Sequence, residues 1–231
     1  DIVEDRRLDS LMKYFMGYTK AARRAVRTIV IDIYQPYISL IKAIFPNAEI
    51  IFDRFHIIQL LTRSLNKTRV QLMKADKKNY NKLKHYWRLL LMDESKIDYV
   101  RSRYNRHFKK CMRQIDILEY LLSLDPTLNA SYVLYQEIKS CVNYRKISRL
   151  KYLLEHPDPH LSEPMKTSVK TLLSHFSYVG NALRFPYSNG RIEGLNNKVK
   201  VIKRVSYGYR SFYHFRNRIL ISFGIAKLKA A

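Results

Sequence analysis

Two short β-branched runs, each closing on an aspartate, constrain this chain more than anything else in it: Arg27-Thr28-Ile29-Val30-Ile31-Asp32 and Glu49-Ile50-Ile51-Phe52-Asp53. Runs that are apolar at consecutive positions are the mark of strands buried on both faces. Between them Tyr37, Ile38, Ile41, Ile44 and Phe45 recur at helical spacing and stop at Pro46. A further helical pattern, Leu8, Leu11, Met12, Phe15 and Met16, precedes the first run. The order helix, strand, helix, strand calls for a βαβ unit with parallel strands. Asp32 and Asp53 then stand at the C-terminal ends of strands, the edge where open α/β sheets place their sites.

From Ile57 to Phe176 the expected pattern is helical almost throughout. Ile97, Val100, Tyr104, Phe108, Cys111, Ile115, Leu118 and Leu122 step by three and four and predict an amphipathic helix several turns long. In it Cys111 is a small core residue, and Tyr80, Tyr86, Tyr99 and Tyr104 serve helix packing. Asp125-Pro126 and His156-Pro157-Asp158-Pro159-His160 break the region into pieces. After Pro186 the turn cluster Tyr187-Ser188-Asn189-Gly190 opens a helix from Arg191 to Val205, with Ile192, Leu195, Val199 and Ile202 on one face. A last amphipathic segment runs from Phe212 to Leu228. The expected division is 1–62 for the first part of an α/β core, 63–185 for a helical insertion and 186–231 for C-terminal core helices.

Charge selects the partner. Lys+Arg 43 against Asp+Glu 19 leaves a net charge of +24, which favours a polyanion, nucleic acid foremost. A hydrophobic content of 47% is enough for a core, so this is not a disordered basic tail. Cys111 and Cys141 make no zinc-like spacing, and no apolar run approaches the ~20 residues that span a bilayer. The expected setting is cytoplasmic and nucleoid-associated. The chain enters directly on Asp1-Ile2-Val3-Glu4 and reads as a fragment whose natural start lies upstream.

Between Pro164 and Ala231 there are 13 Lys/Arg residues and one acid, Glu193. A carboxylate kept at the centre of a polyanion-binding surface repels the same phosphates unless a cation lies between them. Two-metal phosphodiester chemistry needs hard oxygen ligands from different elements around ions ~4 Å apart. A strand-end acid, Asp32, with a helical acid, Glu193, has that form. The plainer readings are a capping or turn aspartate at Asp32 and a solvated helix residue at Glu193. The i+4 neighbour of Glu193 is Asn197, however, so an intrahelical ion pair does not explain it. Asp53 serves equally as the N-cap of a helix opening at Arg54-Phe55-His56, with His56 a satisfied polar residue beside a core. Asn196, Asn197, Lys198, Lys200, Lys203, Arg204, Tyr207 and Arg210 combine cations, amides and aromatic rings suited to phosphate contact and base stacking.

Four blocks together carry a family resemblance. They are Ile29-Val30-Ile31-Asp32-Ile33-Tyr34-Gln35-Pro36-Tyr37, Phe45-Pro46-Asn47-Ala48, Phe52-Asp53-Arg54-Phe55-His56, and Asn189-Gly190-Arg191-Ile192-Glu193-Gly194-Leu195-Asn196-Asn197-Lys198 with Lys203-Arg204 and Tyr207-Gly208. In order and spacing they resemble the catalytic region of the ISL-three group of bacterial insertion-sequence transposases. The resemblance implies an α/β fold, a ribonuclease-H-like core with a large all-helical insertion, carrying an Asp-Asp-Glu triad. By motif match Asp32 is the second Asp and Glu193 the Glu, both metal ligands, with Asp53 and His56 in a neighbouring motif close to the site. The core is expected to be incomplete: the first strand and its Asp, and the zinc-binding and helix-turn-helix modules, lie upstream, and neither Asp1 nor Asp5 ends a plausible first strand. The implied cofactor is Mg²⁺ or Mn²⁺, two ions in the intact enzyme. The implied partners are double-stranded DNA at element ends and target, and a second copy of the chain when DNA is bound. The rival readings are a catalytically inactive DNA-binding remnant and a related ribonuclease-H-like nuclease or junction resolvase.

Overall fold

In the computed structural model, residues 1–224 are described. They divide into two compact units, Asp1–Ile51 together with the segment from Tyr187 onward, and Phe52–Pro186.

The first unit opens with α1 (Leu8–Met16) and α2 (Lys20–Ala25), the latter capped by Thr19, whose hydroxyl accepts the Ala22 N–H at 3.2 Å. β1 (Thr28–Ile31), α3 (Gln35–Ile44) and β2 (Glu49–Phe52) follow, so the βαβ order expected from the β-branched runs is present. The strands are hydrogen-bonded neighbours. Glu49 N–H donates to Arg27 O at 2.8 Å where both strands begin, so they run parallel. Pro36 lies in the first turn of α3, where a missing N–H costs nothing, and Ile38, Leu40, Ile41 and Ile44 are buried. α1 packs on α3, with Phe15 edge-on to Phe45 at 5.2 Å between ring centres.

The second unit is built on α4 (Arg54–Ala75), capped by Asp53. Its buried residues Ile57, Leu61, Ser64, Leu65, Thr68 and Arg69 recur at threes and fours along one face. α5 (Tyr80–His85) and α6 (Trp87–Leu91) pack beside it, and a short 3-10 turn follows at Glu94–Lys96. Here the structure corrects the expectation of an all-helical insertion. β3 (Arg103–Asn105) and β4 (Lys110–Met112) form an antiparallel hairpin, pairing Arg103 with Met112, Tyr104 with Cys111 and Asn105 with Lys110. The expected stripe from Ile97 to Leu122 is therefore a hairpin followed by α7 (Gln114–Ser123). Tyr104 and Cys111 are exposed on strands rather than packed in a helix, and Tyr99 is also exposed. The physical reason lies in the loop. The Asn105 side-chain oxygen accepts the His107 N–H at 3.0 Å, and Lys109 takes φ 53°, closing a four-residue turn that no glycine advertises.

α8 (Pro126–Asn143), α9 (Ile147–Glu155), α10 (Glu163–Ser174) and α11 (Phe176–Arg184) complete the unit. α4 packs between α8 and α10 through hydroxyls as well as aliphatics. Ser64 and Ser168 meet at 2.7 Å, Thr68 and Ser162 at 2.6 Å, and Ser131 and Ser162 at 3.2 Å, all buried. Side chains this small let the helices approach closely, and each hydroxyl is satisfied by another.

The chain then returns to the first unit as α12 (Gly190–Val205) and α13 (Phe212–Ser222), which pack together. Of the apolar face expected on α12, Ile202 is buried while Ile192 and Leu195 stay about half exposed. The part of the last expected helix beyond Gly224 lies outside the described residues. No helix among the described residues is long and apolar enough to cross a membrane.

Candidate nucleic-acid and metal site

β1 ends at Ile31, which is buried, and the pleat turns the next residue, Asp32, out to solvent. On the other side of the sequence, Asn189 is the N-cap residue of α12 but its side chain does not cap the helix. Its amide points at Asp32 instead, Nδ2 lying 3.5 Å from Oδ1 across a separation of 157 residues. One helical turn on, the Glu193 N–H donates to Asn189 O at 2.9 Å. Asp32 and the first turn of α12 are thus brought together, with Glu193 one turn beyond the residue that touches Asp32. A carboxylate in a first turn is favoured by the positive end of the helix, and so is a phosphate bound there.

The two carboxylates are exposed, hard oxygen donors, which fits Mg²⁺ or Mn²⁺ in donor chemistry. Among the described residues no three His, Cys, Asp or Glu side chains gather into a metal-binding group. Two other acids near the start of the chain, Asp1 and Asp5, are held by arginines. Asp1 accepts from Arg216 of α13 at 2.8 Å, and Asp5 from Arg7 at 2.8 Å, which holds the Asp5 carboxyl below its usual range.

Asp53 and His56 belong to the second unit. Asp53 is buried and caps α4, accepting the Phe55 N–H at 2.7 Å. His56 lies edge-on to the Phe55 ring at 5.3 Å.

The basic residues of α12 are exposed along its length, as are Asn196 and Asn197. Lys198 differs from the others: its ammonium donates to the Ser222 carbonyl at 2.9 Å and sits 4.3 Å from the centre of the Phe223 ring. It therefore neutralises the C-terminal end of α13, a structural task that its sequence neighbours do not share. Lys200, Lys203, Arg204 and Arg210 remain open to solvent. α12 ends at Ser206 with Gly208 N–H donating to Lys203 O at 3.3 Å and Tyr207 N–H to Arg204 O at 3.1 Å, the paired bonds of a Schellman motif. The left-handed position of that motif is taken by Tyr207, φ 52°, and its ring is fully exposed at 101%. Sequence reading places Tyr207 in the basic segment but not in this conformation, because the glycine that usually signals it comes one residue later.

Comparison with known proteins gives the family of the chain. A family model described as Transposase, that of the ISL-three group, matches residues 1–219. The chain belongs to the ISL-three transposase family. It is 25% identical over 222 residues, 94% of this chain and 52% of the relative, to the Transposase for insertion sequence element IS1001 of Bordetella parapertussis. It is also 39% identical over 123 residues, 52% of this chain and 39% of the relative, to a Lactococcus lactis subsp. lactis protein named ATP-dependent protease. The chain thus spans about half or less of the length of these curated relatives. No solved structure matches it.

Proposed function

We propose that this chain is the catalytic portion of a DNA transposase, a ribonuclease-H-like core with an Asp-Asp-Glu site, interrupted by the unit Phe52–Pro186. Its reaction is hydrolysis of a phosphodiester at an insertion-sequence end, followed by transfer of the freed 3′-hydroxyl to target DNA. The observation that supports the reading most is the contact of Asn189 with Asp32, since it brings Asp32 to the first turn of the helix that carries Glu193.

In this reading Asp32 and Glu193 hold Mg²⁺ or Mn²⁺, which when bound lowers the pKa of an attacking water or 3′-hydroxyl and stabilises the leaving oxygen. Asn189 orients the Asp32 carboxylate through its amide, and the first turn of α12 offers backbone N–H groups to a phosphate. Lys200, Lys203, Arg204 and Arg210 neutralise the DNA backbone, and Tyr207 stacks on a base exposed at the cleaved end. Asp53 fixes the start of α4, and His56 stands beside it.

Full-length protein with a duplex bearing element ends tests the proposal. Asp32→Asn and Glu193→Gln each reduce cleavage and strand transfer by a factor on the order of 10² or more, with duplex binding retained. Strand transfer that survives Glu193→Gln sinks the assignment. One observation favours the inactive-remnant reading: no three-member ligand group exists among the described residues. Weak nicking by this chain alone fits both readings, whereas activity of the full-length protein separates them.

A further inference from the structure

The hairpin β3–β4 offers a second surface, remote in sequence from α12, that the proposed function does not use. Between Asp98 and Asp116 there is no acid, while Arg101, Arg103, Arg106, Lys109 and Lys110 are all exposed. Among the described residues none of these five forms an ion pair within 4 Å; the nearby Arg113 does, with Asp116. Five cations on so short a segment repel one another, and a fold keeps such an array where a polyanion will neutralise it.

The ribbon is also held rigid from below. Asn105 and Met112, on one face, are buried, and the Tyr86 hydroxyl donates to Asn105 Oδ1 at 2.7 Å. Phe108 in the turn lies edge-on to Tyr120 at 4.8 Å. On the other face Tyr104 and Cys111 stand opposite each other, Tyr104 67% exposed. A two-stranded antiparallel ribbon with one aromatic ring outward, one cation on each strand and three more at its entry and turn has the width of a DNA major groove and a charge opposite to that of its phosphate walls. Pre-ordering removes the entropic penalty that a flexible basic tail meets on binding.

We infer that the β3–β4 hairpin is a duplex-DNA contact in which Arg101, Arg103, Arg106, Lys109 and Lys110 lie on phosphates and the Tyr104–Cys111 face looks into the groove. The inference rests on DNA being the partner, as proposed above, and adds a surface in the second unit.

The native thiols report on it directly. Cys111 is exposed and Cys141 buried, and the chain has no other cysteine. A neutral maleimide should modify Cys111 in the free chain, and saturating duplex should slow that modification about tenfold or more. The triple variant Arg103→Gln, Arg106→Gln, Lys109→Gln keeps the aliphatic stems and should lose the protection. It should also lower the slope of log K against log[salt] by about 3, roughly one unit per phosphate contact removed. Retained thermal unfolding in that variant separates charge loss from misfolding, and the footprint on the unmodified chain needs no variant at all.

Duplex that binds with Cys111 unprotected overturns the inference while leaving the proposed function intact. A triple variant with unchanged affinity and slope does the same. Loss of binding to anionic lipid vesicles, with duplex binding untouched, assigns the patch to a membrane surface and also overturns it. Absence of any duplex binding overturns the proposed function and the inference together.

Discussion

Replacing Tyr207 by glycine should make the protein more stable and worse at binding DNA. An L-residue in the left-handed region carries strain of about 1–2 kcal/mol, which glycine at φ 52° does not. Glycine gives back about 0.5–1 kcal/mol through the greater freedom of the unfolded chain. With the ring 101% exposed, no buried surface is lost, so the net stabilisation is up to about 1.5 kcal/mol. If the ring stacks on an unpaired base, its removal weakens binding by about 1–3 kcal/mol, a loss of about five- to 150-fold. Urea unfolding reads the first effect as a higher midpoint at unchanged slope. Fluorescence anisotropy with a duplex carrying a single-stranded end reads the second. Tyr207→Ala separates them, because alanine keeps the strained backbone and loses the ring: binding should fall as far, without the gain in stability. A glycine variant that is less stable, or that binds the same DNA as tightly as the parent, refutes the reasoning.

Other consequences follow from helix caps and from buried groups in both units. Ser162 caps α10 through the Met165 N–H and meets the Thr68 hydroxyl, so Ser162→Ala should cost about 2 kcal/mol, about 1 for the cap and about 1 for the buried partner, in urea unfolding. Thr19→Ala, at the exposed cap of the six-residue α2, should cost less than half of that. Burial pushes the pKa of the Tyr132 hydroxyl up to about 12, and the Gln136 side chain stands beside it without a hydrogen bond of good geometry among the described residues; Tyr132→Phe should therefore leave stability in urea unfolding unchanged or raise it by up to about 1 kcal/mol. Burial first, then the charges of His85 and Arg106, lower the pKa of His107 from 6.5. The folded hairpin thus prefers the neutral ring, so its contribution is complete above pH 6.5 and is lost as pH falls through the lowered folded-state value. A proton NMR titration that finds His107 above 6.5 contradicts this.

The parts of the fold legible in the sequence are those where local pattern and tertiary role coincide. Ile29, Val30 and Ile31 are β-branched and lie in a strand, and the break at Pro46 ends the helix that begins at Gln35. The hairpin was illegible for the same kind of reason in reverse. Tyr104, Phe108, Cys111 and Ile115 fall at steps of four, three and four by coincidence, while the turn between them is closed by Asn105 and a left-handed Lys109 without glycine or proline. In the candidate site, Asp32 and Glu193 stand out in the sequence by residue type, whereas the contact of the Asn189 amide with Asp32 does not. Asn189 reads as one residue of a turn cluster, and only the fold brings it to an aspartate 157 residues away. Lys198 likewise reads as one more cation in a basic run, and only packing shows it on the carbonyl of Ser222.

Mn²⁺ affinity, measured by electron paramagnetic resonance on the parent, Asp32→Asn, Glu193→Gln and the double variant, tests the shared site most directly. Two carboxylates on one ion predict that either single change weakens binding about tenfold or more and that the second change adds little. Losses that simply add, or an affinity that neither change alters, would show that positions 32 and 193 do not serve the same ion.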